Sequence, residues 1–159
     1  MRDELYDVEV WLRRTWDVGA EIAELETRKE KILASMSGVA KYDAKAVKGG
    51  SDSNPTESKN LEYSSICEKI DKLQGFLSAE NTKTLDAIYK ISDDKKDAAT
   101  IRTMLIAYSI NRVGWKALGK KRNYEKTASY SHRDICLEAI LPYVPDDAFR
   151  RNDTGYYSE

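Results

Sequence analysis

The chain has 159 residues, 41% of them hydrophobic and 33% charged, with a formal net charge of −1 and a mean hydropathy of −0.64. That length suits one compact domain, or a small domain with an extended element. No apolar run is long enough to span a bilayer. No charged segment followed by an apolar core opens the chain, so no secretory leader is expected. With two cysteines and one histidine, a Cys/His zinc cluster and a disulfide scaffold are both excluded, and a reducing cytosol is the expected compartment.

Residues 3–36 read as one long helix. Leu5, Val8, Leu12, Ile22, Leu25, Ile32 and Leu33 recur at helical steps, with Trp11 and Trp16 beside the stripe. No proline interrupts it, and Glu24 and Arg28 stand one helical turn apart on the polar face. Residues 35–60 change character. Gly38, Gly49, Gly50, Pro55 and many Ser, Asn and Asp leave too little apolar surface to offset ordering entropy, which predicts a flexible connector. A second long helix follows over about 60–91. Ile66, Ile70, Leu73 and Leu77 share a stripe that continues through Leu85, Ile88 and Ile91, with a slip of phase near Asn81. Residues 1–91 are therefore expected to form a helical hairpin. Its two apolar stripes bury each other, and it offers a surface for dimerisation or partner contact.

From residue 92 the pattern shortens. Ser92-Asp93-Asp94 reads as a capped helix start, with the helix running to about Ile110. Asn111–Gly114 break it. A short helix over 115–122 follows, then a turn at Asn123-Tyr124, then a helix from about Glu125 to Leu141, stopped by Pro142 and Pro145. Residues 146–159 read as an acidic tail.

Charge is distributed unevenly. Residues 101–135 carry eight basic side chains against Glu125 and Asp134 alone, inside an otherwise acidic chain. Such an excess is the electrostatic footprint of a polyanion-binding module, or, more plainly, a solvated lysine-rich face. Within it, 111–140 has the layout of a helix-turn-helix: Trp115 anchors a short helix, Leu118 follows, and Gly119 stands where a second helix must cross closely. Unrolling the second helix places Ala128, Ile135, Cys136, Ala139 and Ile140 on a packing side. Lys126, Thr127, Tyr130 and Arg133 fall on the other, where a recognition helix presents groups to a major groove; Ser129 is grouped with them. Lys116, Lys120, Lys121 and Arg122 would meet flanking phosphates, giving salt-dependent affinity without sequence reading.

The long helix, Gly/Ser-rich loop, second long helix and Trp115-Lys-Ala-Leu118-Gly119 motif with Asn123-Tyr124 after it resemble the ArpU/RinA-type phage and prophage transcriptional regulators. The C-terminal part of those proteins is similar to region four of primary bacterial sigma factors. The resemblance covers most of the chain in layout and about residues 92–141 in motif. It implies double-stranded DNA as partner, a role in switching on phage genes, often late ones, contact with RNA polymerase, and the cytoplasm of a bacterial host. Gly114 stands where the family tends to have Ser or Thr as cap, and Glu125 where Ser is common.

The expected fold class is therefore all-α, a hairpin followed by a sigma-region-four-like helix-turn-helix at 92–145. The expected function is sequence-specific DNA binding without enzymatic chemistry or a cofactor. Two rivals remain at this point. One is a helical module that binds a host factor such as RNA polymerase. The other is a DNA-packaging protein resembling a terminase small subunit. Elsewhere no catalytic group assembles. His132 and Asp134 do not share a helix face. Gly49-Gly50-Ser51 lacks the Lys of a phosphate loop. Asp93-Asp94 and Asp146-Asp147 read as cap and tail, and Cys67 and Cys136 as small core residues.

Overall fold

The computed structural model describes residues 2–43 and 55–149. Its regular elements there are all helical: α1 (Asp3–Leu12), α2 (Trp16–Asp43), α3 (Pro55–Tyr89), α4 (Ala98–Ser109), α5 (Trp115–Lys121) and α6 (Lys126–Ile140), followed by 3₁₀ turns at Leu141–Tyr143 and Asp146–Phe149. The all-α class stands. Among the described residues no helix is long and apolar enough to cross a membrane, and no group of three or more His, Cys, Asp or Glu could hold a metal ion. The chain divides into two compact units, one of residues 1–16 and 79–159 and one of residues 17–78.

The first unit is built on a core shared by α1, the last turns of α3, and α4 to α6. Leu5, Val8 and Leu12 of α1 reach it at three- and four-residue steps, as do Ile101, Met104, Leu105 and Tyr108 of α4. An aromatic stack ties three segments together. The ring of Tyr108 lies against that of Trp115 at 4.2 Å and that of Trp16 at 4.9 Å, and Trp16 Nε1 donates to the Tyr108 carbonyl at 3.1 Å.

The expected single helix over 3–36 is two helices, broken at Arg13–Thr15. No glycine or proline causes the break. The bonds across it run three residues back, Arg14 N–H to Trp11 O and Trp16 N–H to Arg13 O. The cause is tertiary. Trp11 and Thr15 are buried, Trp16 is held on Tyr108, and Arg14 donates to the Glu80 carboxylate at 3.0 Å and to the Glu80 carbonyl at 2.8 Å. A straight helix steps its side chains by a constant angle and could not aim all four at these partners.

α4 starts at Ala98, six residues past the expected cap. Ser92 Oγ accepts from the Asp94 N–H at 3.1 Å, closing a local turn. The Asp93 carboxylate accepts from Arg102, whose other nitrogen donates to the Ile91 carbonyl at 2.7 Å. The serine and the acids thus hold a loop instead of a helix start, and Asp97 enters α4 with φ 60°. The phase slip near Asn81 does not break α3, which is continuous over Pro55–Tyr89. It falls where the chain passes from the second unit to the first: Ile66 and Ile70 serve one core, Ala87 and Ile88 the other.

In the second unit Leu25, Ile66 and Ile70 form a small buried cluster, with Ile32 and Leu73 against it. Around it Lys69 pairs with Glu21 at 3.4 Å and Arg28 with Glu62 at 4.0 Å, and Lys59 donates to the Ser35 hydroxyl. Partner numbers fall on α3 as they rise on α2, the order of antiparallel neighbours. Leu33, expected in the stripe, is exposed. The expected connector is shorter than 35–60, because α2 continues to Asp43 and α3 begins at Pro55. Its remainder at 44–54 lies outside the described residues, as does the tail beyond Phe149.

Candidate nucleic-acid interface

α5 and α6 are set by local chemistry. Arg112 and Asn123 both take positive φ, 58° and 60°. Asparagine adopts that conformation more readily than most residues. At Asn123 it closes the C-terminus of α5: the Tyr124 N–H reaches the Gly119 carbonyl at 2.8 Å and the Asn123 N–H that of Lys120 at 3.2 Å. This is the Schellman pattern, in which a left-handed residue satisfies the last carbonyls of a helix and turns the chain sharply away. α6 then starts after Glu125, with the Ser129 N–H and hydroxyl both donating to the Glu125 carbonyl.

The close crossing expected at Gly119 is present. A Cβ built there would fall 1.7 Å from Ser129 Oγ and 2.6 Å from Ser129 Cβ. It also corrects one expectation. Ser129 is only 2% exposed, enclosed beneath Gly119, and cannot meet DNA. The packing face of α6 is rotated accordingly. Leu137, absent from the expected packing face, is fully buried, whereas Ile135, expected to pack, is 46% exposed. The serine hides this phase, because a polar residue at a core position breaks the apolar pattern that periodicity reads.

On the outer side, Lys126 and Thr127 are exposed and Tyr130 is 36% exposed. Arg133 shares their face but is engaged. Its side chain is 18% exposed, Nε donates to Asp134 at 3.0 Å, and its guanidinium lies 4.8 Å from the centre of the Tyr130 ring. Lys116, Lys120, Lys121 and Arg122 are exposed. Arg112, in the loop before α5, is a further exposed cation that is not among the expected contact residues and enters the sequence reading only through the charge excess of the segment.

None of Arg112, Lys116, Lys120, Lys121, Arg122 or Lys126 forms an ion pair among the described residues. The other described arginines of the same unit all do: Arg2 with Glu138, Arg13 with Glu9, Arg14 with Glu80, Arg102 with Asp93 and Arg133 with Asp134. These six cations therefore have no ion-pair partner among the described residues, as is also true of Lys90, Lys95 and Lys96 of the same unit, and Glu125 is the one acidic side chain within residues 112–126.

The remaining titratable groups point to structure. His132 stacks on Tyr124 at 4.2 Å with the rings nearly parallel, joining the turn to the helix after it. Burial pushes the Cys136 thiol up to about 12, with the Arg122 charge opposing. Burial, and then the charge of Glu9, raise the Tyr108 phenol above its ordinary range. Protein-family models, curated proteins and solved structures were all compared with the chain, and none matches it.

Proposed function

We propose that the chain is a sequence-specific DNA-binding transcription regulator of phage or prophage genes. In this reading α5 and α6 act as a sigma-region-four-like helix-turn-helix. The observation that carries it is the coincidence, in one short segment, of a Schellman-closed helix pair crossing at Gly119 with six cations that have no acidic partner among the described residues. Exposed lysines and arginines without an ion-pair partner are available to displace counterions from a phosphate backbone. Lys116, Lys120, Lys121 and Arg122 grip phosphates, while Lys126, Thr127 and Tyr130, on the first turns of α6, enter the major groove. The phage assignment rests on the family resemblance of residues 92–141. One helix-turn-helix reads few base pairs, so a second copy, joined through residues 17–78, supplies the other half-site.

The test is a salt titration of binding to duplexes that the full chain selects from a random-sequence library. Lys120→Ala with Lys121→Ala lowers affinity for every duplex and flattens the slope of log K against log salt by about 0.9 for each phosphate left without its cation. Lys126→Ala weakens the selected sequence more than a random one. Binding unchanged in all these variants overturns the assignment.

A further inference from the structure

An aromatic ring on the outer face of a recognition helix needs a reason. Tyr130 stands on α6 one turn beyond Lys126 and Thr127 and is 36% exposed. It is not loose, because the Arg133 guanidinium lies 4.8 Å from its centre, inside the range of cation–π attraction. That guanidinium is itself held, since Nε donates to the Asp134 carboxylate at 3.0 Å. Tyr130, Arg133 and Asp134 thus form a chain of contacts in which the charge is answered internally and the ring is left facing outward. Arg133 is the basic residue of this face whose charge is already used.

In a duplex the faces of the bases are occupied by stacking, so a ring in the major groove meets base edges only. The one apolar group those edges carry is the C5-methyl of thymine. We propose that Tyr130 is a specificity-determining residue that reads the C5-methyl of a thymine, and that Arg133 is a positioning residue that fixes the ring for that contact. A ring ordered before binding loses little rotamer freedom on contact, so most of the gain from covering the methyl is kept. This inference rests on the DNA-binding reading above.

The experiment replaces each thymine of a selected duplex by deoxyuridine, one position at a time, which removes the methyl and leaves every hydrogen-bonding edge unchanged. With the full chain, one position per half-site loses affinity about four-fold, the value of one buried methyl-sized group. Tyr130→Phe keeps that ratio, because the ring and not the hydroxyl makes the contact. Tyr130→Ala brings it to one. Arg133→Ala shrinks the ratio and leaves the salt slope as it was, and Arg133→Lys restores the ratio by returning a cation to the ring. Circular dichroism of each variant shows whether α6 is intact; Arg133→Ala, in which the ratio shrinks, carries the test if Tyr130→Ala does not fold, and a thymine effect that a folded Tyr130→Ala or Arg133→Ala protein leaves unchanged overturns the inference. Binding with a ratio of one at every thymine overturns this inference and leaves DNA binding standing. Absence of any duplex binding overturns the DNA-binding reading itself.

Discussion

Gly119→Ala tests the geometry on which the interface depends. The added Cβ would lie 1.7 Å from Ser129 Oγ and 2.6 Å from Ser129 Cβ. The hydroxyl can rotate away, losing its bond to the Glu125 carbonyl at 3.1 Å, at about 1 kcal/mol. Cβ is fixed to the backbone and cannot rotate. Carbon atoms rest at about 3.5–4.0 Å, so α5 and α6 must separate by about 1 Å. Overpacking of this kind costs about 1–3 kcal/mol, and alanine's better helix propensity returns about 1 kcal/mol. The net expectation is a loss of about 2 kcal/mol, or about 10 °C in melting temperature for a unit of this size. All three tryptophans, Trp11, Trp16 and Trp115, lie in the unit that holds α5 and α6, so urea unfolding followed by tryptophan fluorescence reports on that unit alone. Ser129→Gly removes both clashing atoms and leaves the Ser129 Cα position at a tolerable 3.4 Å. The two substitutions combined should therefore show a favourable coupling of about 2 kcal/mol. A Gly119→Ala protein as stable as the parent, or a cycle with no coupling, refutes the close crossing.

The remaining predictions concern other parts of the same unit. Leu137→Ala costs about 2–5 kcal/mol because Leu137 is fully buried, whereas Ile135→Ala is nearly neutral. Equal losses in urea unfolding would show that the phase of α6 is wrong. The Arg14 guanidinium, hydrogen-bonded to Glu80, holds that carboxyl below its ordinary 4.5, with Lys83 assisting and burial opposing. A folded-state value below the unfolded one means stability that is present above pH 4.5 and lost as pH falls below it. The stability gap between the parent and Glu80→Gln should therefore be widest near neutral pH and close in acid; a gap independent of pH would contradict the pairing. Cys136, buried and pushed up to about 12, should resist iodoacetamide in the native protein until urea unfolds it, while the half-buried Cys67 is alkylated sooner. Mass spectrometry of the labelled peptides reads the order, and early labelling of Cys136 would count against the core as described.

Several elements could be read before folding because their signals are local. The short helix after Gly114, its end at Asn123 and the start of α6 lie within a residue of where the pattern puts them. Trp115, Gly119 and Asn123 each do there what their covalent structure favours: fill a core, permit a close approach, and adopt a left-handed turn. The exposure of Lys116, Lys120, Lys121, Arg122 and Lys126 was legible for a similar reason. Charged groups stay in water unless something pairs them.

What the sequence by itself determined is the helical class, the order of the elements, and the concentration of positive charge beside a glycine-bearing turn. These follow from side-chain periodicity and backbone preference, which act over a few residues. Only the tertiary structure decided where the first helix bends, what Ser92 caps, and which residues of α6 face inward. At Arg13–Thr15 helical propensity favours continuing, and contacts to Glu80 and Tyr108, more than sixty residues away in the chain, outweigh it. At Ser129 the small size of Gly119 turns a polar residue into a buried one. Tyr130 faces outward as the pattern of α6 placed it, but Ser129 and Leu137 face inward and Ile135 outward, and no pattern within α6 alone contains the partner that sets that rotation.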